Sequence, residues 1–227
     1  MDPLPTAKPS DAAHAVAKAV AGMVPGAGSA LQVLMETVLA PPLERRKTRW
    51  LQQLAETVSE LEMSVTGLTP EVLSQNEMFI TAAAQATLLS LRTHQEEKLR
   101  ALRNAVRHAA LPNAPAEDLQ LMFLRYVDEL TPWHLRLLAY FQNPPLWMKR
   151  YGISDPGIHM GGPASHLEHC FPELHGKQEQ YRQIVRDLQQ RGLLQDGNFL
   201  NVMMTSSGIV AGRTTEFGNA FLSYIGE

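Results

Sequence analysis

KQEQYRQIVRDLQQRGLLQDGNFLNVMMTSSGIVAGRTTEFGNAFLSYI, residues 177–225, changes its period twice, and that change decides the fold. From Lys177 to Arg191 the apolar positions Tyr181, Ile184, Val185 and Leu188 recur at helical spacing, which predicts an amphipathic helix. Gly192 stops it, because glycine adopts the left-handed angles of a helix C-terminus without a steric penalty. Phe199–Met204 is then strand-like, Ser206-Ser207-Gly208 has turn chemistry, and Ile209–Ala211 resumes as a second strand. Thr214 or Thr215 caps a closing helix that carries Phe217, Phe221, Leu222 and Ile225.

The preceding segments complete a pattern. Asp118–Leu130 reads as a helix, and Thr131-Pro132 starts another through Leu135, Leu137, Leu138 and Phe141, stopped by Pro144-Pro145. A Gly- and Pro-rich loop, Tyr151–Pro163, leads to a short helix at Ala164–Cys170. Helices, a β-hairpin and a sealing helix in this order predict a winged-helix-like domain over residues 114–227.

Residues 11–113 read as a helical domain. Ala12–Val24 and Ala30–Leu39, broken by Pro25-Gly26-Ala27-Gly28-Ser29 and closed by Pro41-Pro42, suggest a helical hairpin. Trp50, Leu51, Leu54, Val58, Leu61 and Val65 form one apolar stripe on a helix from Glu44 to about Val65. That helix opens on Arg45, Arg46, Lys47 and Arg49, the wrong charge for the positive end of a helix dipole. Thr69-Pro70 starts a helical pattern that lasts to about Leu111, as one long helix or two in tandem divided near Thr93. The expected fold is therefore mainly α, a helical hairpin or bundle followed by a winged-helix-like domain with a small β-hairpin.

Composition bounds the function. The chain has 227 residues, 44% hydrophobic and 19% charged, with a net charge of −3, so no surface-wide attraction to nucleic acid is built in. The single Cys170 permits no intrachain disulfide and points to a reducing, cytoplasmic setting. Residues 1–10 read as a disordered lead-in without the basic and apolar regions of a signal peptide.

Leu188–Leu194 and Thr214–Ile225, flanking the expected wing, resemble the C-terminal part of bacterial abortive-infection alpha-type proteins. The Val24–Gly28 turn, with Arg45-Arg46 and Trp50 after it, is similar too. The resemblance implies a helical region joined to a winged helix and a role in phage defence. It brings no catalytic residues.

Three functions compete for these features. The leading one is a non-enzymatic module that contacts a protein partner or a second copy of itself, with no cofactor and no small-molecule substrate. The second is a DNA-binding regulator, in which the third helix of the winged helix would offer Lys177, Gln178, Arg182 and Arg186, with Arg213 near the wing. Glu179 and Asp187 on that helix oppose phosphate. The third is a membrane-disrupting effector using the apolar hairpin, with Val20, Met23, Val24, Leu31 and Leu34 meeting lipid. Among metal-ligating types, His166, His169 and Cys170 lie closest together, with His159 and His175 nearby, but they lack the paired spacing of a structural zinc site.

Overall fold

The computed structural model describes residues 34–158 and 160–226. The lead-in and most of the expected hairpin, including Val20, Met23, Val24 and Leu31, lie outside the described residues, as does His159. The described chain is mainly helical with one small antiparallel sheet, as the hydrophobic periods require. It divides after Ala55 into two units.

In the first unit a π-helical turn, Leu34–Leu39, runs directly into α1, Ala40–Ser64. Pro41 and Pro42 were expected to end a helix; instead they lie in the first turn of α1, where the π turn passes into it. Trp50 and Leu61 are buried along α1, whereas Leu51 is exposed and falls off the expected stripe.

The second unit begins within α1. Thr69 caps α2, Pro70–Leu73, through its hydroxyl, and Asn76 caps α3, Glu77–Arg92. The helical run to Leu111 resolves as two helices, with α4 spanning Glu96–Ala109. The break falls at Thr93, whose hydroxyl accepts from the Gln95 N–H at 3.2 Å. α5 covers Glu117–Glu129 and α6 Pro132–Gln142.

Packing of α4 against α3, α5 and α11 (Glu216–Ile225) makes one core of residues on both sides of position 113. The division expected at 113/114 therefore falls inside the unit Glu56–Glu227. Phe123 of α5 sits at its centre, 5.3, 5.4 and 5.6 Å between ring centroids from Phe217, Phe221 and Tyr224. The last carbonyls of α11, which lack partners within their own helix, accept from α4 side chains. Asn104 donates to Ile225 O and the His108 ring meets Tyr224 O, each at 2.9 Å.

Pro144-Pro145 stops α6 as expected but also starts α7, Pro144–Tyr151, with Asn143 accepting from the Leu146 N–H at 3.0 Å. Then follow β1, Met160–Gly161, and α8, Pro163–Cys170. A 3-10 turn at Pro172–Leu174 precedes α9, Gln178–Gln190. Gly192 takes φ +69° just past α9 and terminates it as the sequence predicts.

The expected Phe199–Ala211 hairpin does not form. Phe199–Asn201 is a 3-10 turn with Phe199 and Leu200 buried, β2 is only Met204–Thr205, and Ser206–Ile209 is a helical turn, α10. β2 pairs with β1 instead, Met160 opposite Thr205 and Gly161 opposite Met204. Two local reasons account for the difference. A side chain at Gly162 would place its Cβ 2.6 Å from Leu200 O, so β1 can run close along this segment only because glycine follows it. Thr205 is extended and its hydroxyl meets that of Ser207 at 3.2 Å, so the chain turns into Ser206–Ile209 straight after β2 and no second strand follows.

Candidate functional site

Residues 195–213 leave and rejoin the core at one place. Leu194 and Thr214 form an antiparallel bridge, Gln195 N–H donates to Arg213 O at 2.8 Å, and Thr215 N–H donates to Leu193 O at 3.2 Å. Thr215 also caps α11, its hydroxyl oxygen accepting from the Gly218 N–H at 2.9 Å. A Cβ on Gly218 would fall 2.1 Å from Leu193 O, so only glycine lets the start of α11 meet this neck.

Arg213 closes the excursion from inside. Its backbone N–H donates to Phe141 O at 2.7 Å, its guanidinium donates to Gly208 O at 2.8 Å, and it lies 5.5 Å over the Phe199 ring. The residue expected near a wing to hold phosphate is thus engaged with its own chain.

On α9, Lys177 at its N-cap, Gln178 and Arg186 are exposed, as are Gln180 and Gln183. Arg182 is half-buried and paired with Glu179 at 3.0 Å. Arg191 reaches back to Glu129 at 2.6 Å and lies 5.2 Å over Tyr126, while Gln183 donates to Asp187. The buried side, with Tyr181, Ile184, Val185 and Leu188, packs on α6.

α6 holds two buried histidine connections. Thr131 at its N-cap presents a backbone N–H to His134 Nδ1 at 3.3 Å and a hydroxyl at 2.8 Å. An Nδ1 that accepts both leaves the ring proton on Nε2, which faces Asp187 Oδ2 of α9 at 3.4 Å. Burial lowers the His134 pKa, with Asp187 pulling the other way.

Six residues further on, the Tyr140 hydroxyl is hydrogen-bonded to His166 Nδ1 of α8 at 2.6 Å, and Cys170 Sγ lies 3.8 Å from the same nitrogen. All three side chains are buried, and His166 Nε2 has no protein partner. Burial lowers the His166 pKa, raises that of Tyr140 and pushes the Cys170 thiol up to about 11. The thiol is thus protonated at neutral pH and shielded, the opposite of an activated nucleophile.

The three weak metal candidates separate. His166 and Cys170 face inward, while His169 is exposed and bonds Ser154 O at 2.9 Å. Among the described residues no group of three His, Cys, Asp or Glu is placed to hold a metal ion. His175 is exposed.

The small sheet gathers apolar side chains that the sequence reading left unassigned. Met160, Val202 and Met203 are 70, 48 and 72% exposed. Extending the ladder register puts Met203 diagonally across from Met160 on one sheet face. Elsewhere, on α7, Leu146 and Tyr151 are also exposed, the Tyr151 ring tilted against Trp147 at 4.3 Å between centroids. No local signal could reveal the Met160–Met203 neighbourhood, because it depends on a pairing between distant segments. The chain matches no protein-family model, no curated protein and no solved structure.

Proposed function

We propose that this chain is a non-enzymatic module whose Glu56–Glu227 unit makes contacts with a protein. Within it, β1, α8, α9, the 195–213 excursion and α11 form a reduced winged helix whose wing is folded back as 3-10 and α turns. The observation that carries the reading is the exposed pair Met160 and Met203, set diagonally across one sheet face by the β1–β2 register. Scattered exposed apolar residues are ordinary, but adjoining large ones on one face mark contact surfaces. The sealed Tyr140–His166–Cys170 cluster supports the non-enzymatic part, since its thiol is poorly suited to attack. The likeness of Leu188–Leu194 and Thr214–Ile225 to abortive-infection alpha-type proteins supplies a setting for the contact, defence against phage in a bacterial cytoplasm.

The test compares wild type with Met160→Asp/Met203→Asp, both tagged, in pull-downs from host extract and in light scattering of the purified chains. A discrete partner, or a dimer, retained by wild type and lost by the variant supports the proposal. Identical behaviour of the two proteins removes it.

Exposed Lys177, Gln180, Gln183 and Arg186 favour a second reading, duplex DNA against α9. Arg182, Arg191 and Arg213 being engaged within the protein weakens it. A mobility shift at about 50 mM salt that fades steeply as salt rises supports it, and the absence of a shift ends it.

A further inference from the structure

The start of α1 carries two features that protein contact by the second unit leaves unused. Leu34, Val38, Leu39 and Leu43 are 43, 53, 40 and 40% exposed along the π turn and the first turn of α1. The π turn bonds residues five apart, so it sets Leu39 close above Leu34 and keeps the four side chains on adjoining positions. Arg46 and Lys47, three and four positions beyond Leu43, stand beside it on the helix surface.

Charge along α1 is segregated. Arg45, Arg46, Lys47 and Arg49 crowd its N-terminal part against Glu44 alone, while Glu56, Glu60 and Glu62 occupy the C-terminal part with no base. The first turn, Ala40–Leu43, carries no charge, so the basic cluster lies beyond the reach of the helix dipole and is a surface feature of its own. An anionic surface matches it. A nucleic acid would satisfy the cations but not the exposed leucines and valine, whereas a lipid interface accepts both: apolar side chains enter the acyl boundary while Arg and Lys extend to the headgroups. Among the described residues no helix is long and apolar enough to cross a membrane.

We propose that Leu34–Arg49 docks the protein on the surface of an anionic bilayer, with Leu34, Val38, Leu39 and Leu43 inserted and Arg46 and Lys47 at the headgroup phosphates. The full chain is floated with phosphatidylcholine vesicles alone and with vesicles in which about a third of the lipid is phosphatidylserine. Flotation with the anionic vesicles only, reversed by about 0.5 M salt, is the expected result. Arg46→Gln/Lys47→Gln should weaken partitioning about 25-fold, about fivefold for each charge. Val38→Asp/Leu43→Asp should abolish it while circular dichroism shows unchanged helix content. No flotation of wild type, equal flotation with neutral vesicles, or variants that partition like wild type would each overturn the proposal.

Discussion

His134 of α6 and Asp187 of α9 face each other with Nε2 3.4 Å from Oδ2, and this contact joins the helix start at Thr131 to α9. The imidazole serves as a capping acceptor on one side and a donor on the other, which only its neutral form can do.

Stability should therefore fall in mild acid. Burial lowers the folded pKa of both His134 and His166 from the ordinary 6.5. The groups facing them are Asp187 and Arg191 for His134, and Tyr140, Cys170, Asp155 and His169 for His166. The unfolded chain takes up these protons first, so their contribution is complete above about pH 6.5 and declines as pH drops toward the folded values. Glu97, whose pKa the Arg136 guanidinium holds down, adds its loss only in stronger acid. Urea midpoints should be level from about pH 7 to 8 and decrease below about 6.5. A midpoint that rises on acidification from about 7 to 5.5 contradicts this assignment.

Cys170 should be silent to thiol reagents in the native protein. It is 5% exposed and its pKa is raised to about 11, so both access and thiolate are lacking. Ellman's reagent is expected to give no signal until denaturant is added, and then one thiol per chain. Fast native reaction would show that the Tyr140–His166–Cys170 cluster opens, and the non-enzymatic proposal would lose its support.

What the sequence disclosed was local. Thr69-Pro70, Thr131-Pro132 and Thr215 each start a helix where expected, because a capping hydroxyl and a proline in the first turn act within four residues. The period of α9 and its glycine stop were equally readable. Phe199–Met204 misled because a short apolar run has no period that separates a strand from a buried turn. Its outcome was set by Gly162 and Met160 on the other side of α8 and α9. The surroundings of one candidate site residue were hidden in the same way. Arg213 looked like a free cation beside a wing, but its partners Gly208 O, Phe141 O and the Phe199 ring come together only once the excursion closes. His134 and Asp187, 53 positions apart, gave no signal at all.

Gly218→Ala should weaken the neck of the excursion. The new methyl would meet Leu193 O at 2.1 Å, and a backbone carbonyl cannot rotate aside as a side chain can. A cost of about 1–3 kcal/mol is expected, typical of overpacking at a tight contact. Chemical denaturation measures it directly. An unchanged midpoint would mean that α11 does not sit against Leu193 as described.

Arg213 separates the two proposed readings, protein contact and DNA binding. As a phosphate contact, its removal would alter DNA affinity and salt dependence while leaving the fold intact. As the clamp described above, its removal frees Gly208 O and uncovers Phe199. Arg213→Ala should then lower stability by about 1.5–3 kcal/mol, the range for hydrogen bonds to a charged group. It should also admit protease cleavage within residues 195–213, visible as a new fragment pair by mass spectrometry. Lys177→Gln/Arg186→Gln is the matched control. Both side chains are exposed on α9, so stability should stay within about 0.5 kcal/mol of wild type. Should the Arg213 variant prove as stable and protease-resistant as this control, the clamp is wrong and the residue returns to the list of candidate phosphate ligands.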